Sequence, residues 1–283
     1  MRKRILGVFG AAFAAAVLLA GQPAAAQPEV ILVGTAHDLH FRPEAHYSLV
    51  DLKHEMEALH PDAICGEITP EAYRGAMEGF FPVEAAFLSE IAPALHAKFV
   101  PADWRIAAGW MLRATRIQSK AEAAREAEID GRQYRETTGY RGVSLFDYYH
   151  SEAFNALSDR KFEDIVGEDT VADIANGGWH ERNRRIVENC LDGAPDAHRI
   201  VIAFGANHMA QLRRQLALRN IAPQIASRQF TPAGTGEVPT AVVDRWRKNL
   251  ANLHGVADGS IPASRDDRLK ALHANTKRLE QAI

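Results

Sequence analysis

The sequence predicts an α/β protein whose central sheet is mainly parallel. Short apolar runs at Val30–Val33, Asp62–Gly66 and Arg199–Phe204 each end at or beside a glycine, which is typical of buried strands. Segments with helical spacing separate these runs, and the first two form a strand, helix, strand unit of βαβ size. The first and last runs share one pattern, in which a buried strand is followed by Gly, two residues and His.

Composition narrows the function classes before any motif is considered. The chain has 283 residues, 47% of them hydrophobic and 24% charged, with a formal net charge of −3. No basic run occurs beyond the first four residues, so nothing in the composition supports nucleic-acid binding. Two cysteines, Cys65 and Cys190, exclude a disulfide-rich scaffold and a Cys-rich zinc module. Whether they pair is left open.

The first 26 residues have the organisation of a secretory signal peptide. Met1–Arg4 is basic, Ile5–Gly21 is apolar, and Ala24–Ala26 supplies small residues for cleavage. We therefore expect residues 1–26 to be removed and residues 27–283 to form a single α/β domain in the periplasm or the medium. No second long apolar run follows, so no membrane span is expected after cleavage.

Helical spacing predicts the remaining elements in order. A helix is expected over about 44–59, another from Pro70, and a helical insertion over about 83–176 that caps the cleft and includes a short strand at Lys98–Val100. Helices are then expected at Trp179–Leu191 and His208–Leu218. A last strand at about 222–227 and a helical tail at about 239–283 complete the domain.

Three predicted strands deliver an ionisable group just after a glycine. The segments Gly34–His37 and Gly205–His208 share the pattern Gly, two residues, His, and Glu67 directly follows Gly66. In an open parallel sheet, ligands collect outside the carboxyl ends of the strands. We therefore expect His37, Glu67 and His208 to converge at one edge, within reach of a single metal ion.

Further polar groups are expected to support this centre. Arg182 and Asn183 lie on the same face of their helix as its apolar stripe, so Arg182 either forms a structural ion pair or points at an anionic centre. Asp103 follows another strand-like run and is a further candidate. In the loop after His37, Asp38 and His40 are close enough to join a metal site if the loop folds back.

Two histidines and one glutamate match the ligand count of a catalytic metal with an open position for water. If Glu67 is a ligand, Asp103 or His40 could be the base; if Glu67 is the base, Asp38 or His40 must complete the ligand set. Arg182 would then stabilise an oxyanion and Asn183 would orient a metal-binding group.

The order of these motifs resembles the TraB/Tiki superfamily. Its pattern of GTxH, PDxxxxE, ER(N/D) and GxxH is found at Gly34–His37, Pro61–Glu67, Glu181–Asn183 and Gly205–His208. Relatives in this group include GumN-like, erythromycin esterase-like and ChaN-like proteins. The resemblance covers about 90 residues in the two sheet-forming halves. The insertion and the tail are unmatched.

The resemblance implies an α/β fold whose sheet is built from two related halves around one cleft. It also implies an exported metal-dependent hydrolase, with peptidase as the narrower expectation. His37, Glu67 and His208 would form the centre with a divalent ion such as manganese, cobalt or zinc, and Arg182 would support it. The substrate, a peptide or a small molecule, is not inherited. Asp38 after His37 is closer to the His-Asp pair of the ChaN-like branch. The alternative is therefore a protein that binds haem or another small ligand without catalysis, through His37 or His40.

Overall fold

The computed structural model describes residues 27–75 and 82–283. The segment predicted as a signal peptide, residues 1–26, lies outside the described residues. No helix within the described ranges combines the length and the apolar character needed to cross a bilayer.

The centre of the fold is a five-stranded, entirely parallel sheet, which confirms the predicted α/β class. The strands are β1 (Glu29–Thr35), β2 (Ala63–Gly66), β3 (Lys98–Pro101), β4 (Arg199–Gly205) and β5 (Gln224–Ile225). Their order across the sheet is β3-β2-β4-β1-β5. The two long, fully apolar strands β1 and β4 are therefore neighbours at the centre, and β2 lies beside β4.

Helices cover both faces of this sheet. The α-helices are α1 (Leu49–Leu59), α2 (Pro70–Gly75), α3 (Val83–Ile91), α4 (Ala108–Ile117), α5 (Lys120–Gly139), α6 (Leu145–Tyr149), α7 (Glu152–Asp159), α8 (Val171–Ala175), α9 (Trp179–Gly193), α10 (Met209–Ala217), α11 (Thr240–Asp258), α12 (Arg265–His273) and α13 (Lys277–Ala282). Shorter 3₁₀ helices occupy His37–Phe41, Pro43–Ala45, Ala92–Leu95 and Ala206–His208, and a π-helix occupies Arg160–Val166.

Alternating strand residues divide the core into two layers. On β4, Val201 packs with apolar residues of α1, α3 and α11, whereas Ile202 packs with those of α9 and α10. Successive side chains of a strand point to opposite faces, so a strand covered on both sides must be apolar throughout. This is why the strand runs read as unbroken hydrophobic stretches.

A disulfide joins the sheet to α9. Cys65 of β2 and Cys190 are completely buried and bonded to each other across a sequence separation of 125. Since Ile64 faces the opposite layer, Cys65 must face α9. The bond settles the pairing that the sequence left open, and it fixes α9 relative to β2, the strand that directly precedes Glu67.

Two boundaries differ from the sequence expectation. The helix expected from residue 44 begins at Leu49, because Ser48 and Asp51 form a capping box and the preceding residues form 3₁₀ turns. The insertion expected from residue 83 begins later, because β3 pairs with β2 in the sheet and α3 packs into the sheet layer. The helices between β3 and β4 are the ones that stand over the carboxyl edge.

Candidate functional site

A cavity of about 610 Å³ opens at the carboxyl edge of the sheet. Its floor is formed by residues that follow β1, β2 and β4, and one wall is formed by α5 of the insertion. His37, Glu67, Arg182 and His208 all line it. The edge that the strand topology singles out is thus also where the structure leaves room for a ligand.

Glu67 lies at the centre of the predicted residues. Its Oε2 is 3.7 Å from His37 Nε2, and its Oε1 is 3.9 Å from His208 Nε2. The backbone N–H of Gly205 donates a hydrogen bond to Oε2 at 2.8 Å. Both histidines therefore approach one buried carboxylate, each from the end of a different central strand.

Close approach of backbone and side chain makes this convergence feasible. A Cβ on Gly205 would lie 2.5 Å from His37 Nε2 and 3.2 Å from Glu67 Oε2, so a larger residue would displace them. His37 itself has a φ of +50°, in the left-handed region that a residue other than glycine rarely adopts. Its surroundings must therefore impose this conformation.

Glu84, which the sequence analysis missed, is the group that holds His37. Its Oε1 lies 2.7 Å from His37 Nδ1 and accepts a hydrogen bond from Thr35 Oγ1 at 2.6 Å. The residue is fully buried, and its Oε2 has no hydrogen-bond partner among the described residues. The available signal was a carboxylate near the start of the apolar stretch Val83–Ile91.

Arg182 joins two buried carboxylates. It donates to Asp103 through Nε at 2.8 Å and Nη2 at 3.0 Å, and to Glu67 Oε1 through Nη2 at 2.7 Å. Arg105, which the sequence analysis also missed, donates to Asp103 at 2.6 Å and to Glu67 at 3.3 Å. The sequence left two alternatives for Arg182, a structural ion pair or an orientation toward an anionic centre. Both are present, because Arg182 pairs with Asp103 and also contacts Glu67.

Asp103 is therefore poorly suited to the role of base. Burial opposes its ionisation, but Arg105 and Arg182 outweigh that effect and hold the pKa of Asp103 below its ordinary value. Its carboxylate also accepts the backbone N–H of Trp104. With its oxygens engaged by two guanidinium groups, Asp103 positions Arg182 and does not face a reacting group.

His208 is held as a neutral ring with a defined tautomer. The side-chain amide of Asn183 donates to Trp179 O, so its Oδ1 accepts from His208 Nδ1 at 2.7 Å. Burial and the nearby Arg182 lower the pKa of His208 to about 3. The ring also stacks on the indole of Trp179 at 4.2 Å between centroids. His208 Nε2 is left as a hydrogen-bond acceptor or metal-binding nitrogen directed toward Glu67.

The structure does not support His40 as a ligand or base. Its Nδ1 donates to Tyr47 O at 2.8 Å, and its Nε2 accepts the backbone N–H of Ala36 at 3.1 Å, so both ring nitrogens are engaged. His150 makes the same arrangement with Phe146 O and the backbone N–H of Gly34. These rings supply acceptors where β1 continues beyond its short partner β5.

The charged side chains on the floor of the cavity stabilise one another in their ionised forms. Burial opposes ionisation of Glu67, but the positive charges of His37 and Arg182 outweigh it and hold the pKa of Glu67 well below its usual range. Desolvation likewise opposes a charge on His37, yet Glu84 and Glu67 prevail and raise the pKa of His37 to about 9. A cation on this floor is therefore favoured by two carboxylates.

These residues include a group that could hold a metal ion. His37, Glu67 and Glu84 each offer a ligand atom, and the three atoms lie within 4.8 Å of one another. The set shares His37 and Glu67 with the predicted one, but its third member is Glu84 where His208 was expected, and neither Asp38 nor His40 belongs to it. His208 stands beside this group, on the other oxygen of Glu67.

No protein-family model matches the chain, and no curated protein or solved structure shows significant similarity to it.

Proposed function

We propose that the protein is a hydrolase that holds a divalent metal ion between His37, Glu67 and Glu84. The observation that carries this proposal is the convergence of these three donors, of which His37 and Glu67 line the cavity, with His208 adjacent. Carboxylate and imidazole donors suit manganese, cobalt or zinc. Peptidase activity is the narrower form of the proposal.

The residues fit such an ion by their chemistry. Glu84 Oε2 is buried without a hydrogen-bond partner among the described residues, and a buried carboxylate oxygen is costly unless a cation or donor meets it. On Glu67, Arg182 binds Oε1, whereas Oε2 faces His37. Because Gly205 has no Cβ, these groups can approach each other closely.

A bound divalent ion would supply a Lewis acid that polarises a carbonyl group and acidifies a water molecule. The protein's own residues would do the positioning. Asn183 fixes the tautomer of His208 so that Nε2 can accept a hydrogen bond from the attacking water. Arg182 holds Glu67 in place, and its positive charge offsets the negative charges of Glu67 and Asp103. Arg105, which also lines the cavity, can stabilise negative charge on the substrate oxygen.

Two further observations support this proposal. The motif order that resembles the TraB/Tiki superfamily includes His37, Glu67, Arg182 and His208, which all line the cavity. The disulfide at Cys65 supports the proposal that the protein acts in the periplasm or outside the cell, because such bonds persist in oxidising compartments.

Metal analysis of matched variants tests the proposal. Wild type, Glu84→Gln and Glu55→Gln are each equilibrated with Mn²⁺, Co²⁺ or Zn²⁺, and binding is measured by calorimetry and elemental mass spectrometry. Glu55 is the control because it too is buried with an oxygen that lacks a partner among the described residues, but it lies on α1 and is not part of the group that could hold a metal ion. We expect Glu84→Gln alone to weaken binding, by about tenfold or more.

Hydrolysis is then measured on a library of N-acetylated peptides and the matching esters, with products identified by mass spectrometry. Metal-loaded wild type and Glu55→Gln should release products, and Glu84→Gln should not. Wild-type protein that binds none of the three ions, or equal behaviour of the two glutamate variants, would contradict the proposal.

The alternative of haem binding without catalysis finds less support in the geometry. His40 cannot serve as an axial ligand without losing the backbone hydrogen bond of the ring nitrogen that would bind iron, which is the bond with Ala36 N–H or with Tyr47 O. His37 could serve, but the floor beside it carries Glu67, Arg182 and Arg105, whereas the face of a porphyrin packs best on apolar groups. A Soret band with one haem per chain, obtained on purified protein, would favour this alternative.

A further inference from the structure

The wall of the cavity above the charged floor is mainly made of neutral polar side chains. One face of α5 presents Gln133, Tyr134, Thr137 and Thr138 to the cavity. The acidic member of that face, Asp130, is paired with Lys161 at 2.7 Å. The wall therefore offers amide and hydroxyl groups to a bound molecule, and its one carboxylate from α5 is already paired.

Asn207 connects this wall to the floor. It lies in the 3₁₀ turn between β4 and α10, directly before His208, and it is exposed in the cavity. Its Oδ1 accepts two hydrogen bonds, from Gln133 Nε2 at 3.1 Å and from Ser158 Oγ at 3.1 Å. Both donors are buried, and Gln133 also donates to Ser158. These buried residues fix the orientation of an exposed amide.

The consequence is a directed donor. With Oδ1 committed to the two buried residues, Asn207 is left with its Nδ2 hydrogens, and no hydrogen bond of the described residues uses them. An amide whose oxygen is held by protein and whose N–H groups face a cavity selects an acceptor, such as a carbonyl oxygen.

We infer that Asn207 binds the carbonyl oxygen of an amide or ester substrate, and that Gln133 and Ser158 position it for this. The inference rests on the proposed function in one respect, which is that the bound molecule carries a hydrolysable bond. It names the substrate class as a neutral carbonyl compound flanked by hydrogen-bonding groups, to which the amide and hydroxyl groups of α5 are complementary.

Binding can be tested without turnover. The probes are N-acetylglycine N-methylamide and methyl lactate, an ester that contains no amide, titrated into ¹⁵N-labelled protein while the side-chain amide signals are followed by NMR. We expect saturable shifts of the Asn207 amide signal, assigned by its loss in Asn207→Asp. Removal of this neutral hydrogen bond should weaken probe affinity about threefold to tenfold. A shift with the amide alone, or with both probes, supports carbonyl recognition and tells the two sources apart.

The control is Asn275→Asp, which alters another exposed asparagine of the same cavity. It should leave probe affinity unchanged. Gln133→Leu should weaken binding in the wild-type background but not in Asn207→Ala, because a positioning residue acts through the group that it holds. Thermal denaturation verifies that each variant is folded.

Probe affinity that is unaffected by Asn207→Asp, or probes that shift no cavity signal at all, would overturn the inference. The same titration on Glu84→Gln separates this result from the proposed function. Shifts of Asn207 that survive in Glu84→Gln support carbonyl binding even if no metal-dependent hydrolysis is found. Loss of hydrolysis alone therefore contradicts the proposed function and not this inference.

Discussion

His37 rests directly against the backbone of Gly205, so that a Cβ at Gly205 would lie 2.5 Å from His37 Nε2. This contact joins the ends of the two central strands, since His37 follows β1 and Gly205 ends β4. Because the same missing side chain gives room to Glu67 Oε2, one glycine decides whether the histidine and the carboxylate can meet.

Gly205→Ala should impair the site more than the fold. The added methyl group would push aside the ends of two side chains, and the half-exposed ring of His37 can move at little cost in stability. We expect the affinity for Mn²⁺ or Co²⁺ to fall, with a loss of folding free energy below about 1 kcal/mol. Gly139→Ala, where a Cβ would meet nothing within 4 Å, is the control. Unchanged metal affinity in Gly205→Ala would show that this contact is irrelevant to binding.

Arg182→Lys should reduce both stability and function. One ammonium group cannot replace the three hydrogen bonds that Arg182 donates to Asp103 and Glu67. Because both carboxylates are buried, we expect a loss of about 2 kcal/mol or more in urea denaturation. Arg184→Lys on the exposed side of α9 should cost less than about 1 kcal/mol. Equal costs for the two variants would contradict a central role for Arg182.

Loss of the Cys65–Cys190 disulfide should destabilise the protein strongly. The bond closes a loop with a sequence separation of 125, for which the chain-entropy model gives about 5 kcal/mol. We expect a loss of about 3 to 5 kcal/mol in denaturation of the double alanine variant. Reduced wild type keeps both sulfur atoms, so it separates the loss of the bond from the cavity that alanine creates. An equal stability of oxidised and reduced wild type is the contrary result.

Acid should destabilise the fold through His150. Burial lowers the pKa of His150 to about 4, below the ordinary value of 6.5. When the pH is below 6.5 but above the pKa of folded His150, the unfolded chain binds a proton at this residue and the folded protein does not. The free energy of unfolding therefore falls as the pH drops toward the pKa of the folded state. The total loss is about 3 kcal/mol for this group.

His150→Gln tests this dependence, because an amide oxygen can still accept the N–H of Gly34 without titrating. Urea denaturation at several pH values between about 7 and about 4 should give a shallower slope for the variant, by up to about 1.4 kcal/mol per pH unit. Identical slopes for the two proteins would exclude His150 as a source of acid instability.

The sequence by itself determined the class of fold and the strand ends. Each central strand is buried on both faces, so it must be a continuous apolar run, and such runs are visible without any structure. Parallel strands bring their carboxyl ends to one edge, which is why His37, Glu67 and His208 could be expected there. The structure brings both histidines within 4 Å of Glu67.

Only the tertiary structure decided which groups partner these residues. Glu84 contacts His37 over a sequence separation of 47 because α3 packs into the sheet layer. Arg182 contacts Glu67 over a sequence separation of 115 because α9 packs on the other face of the sheet. His40 remains with the backbone because β5 ends early and leaves the N–H of Ala36 to be satisfied. Local pattern fixes where a strand ends, but the partner of a buried charge depends on how distant helices pack.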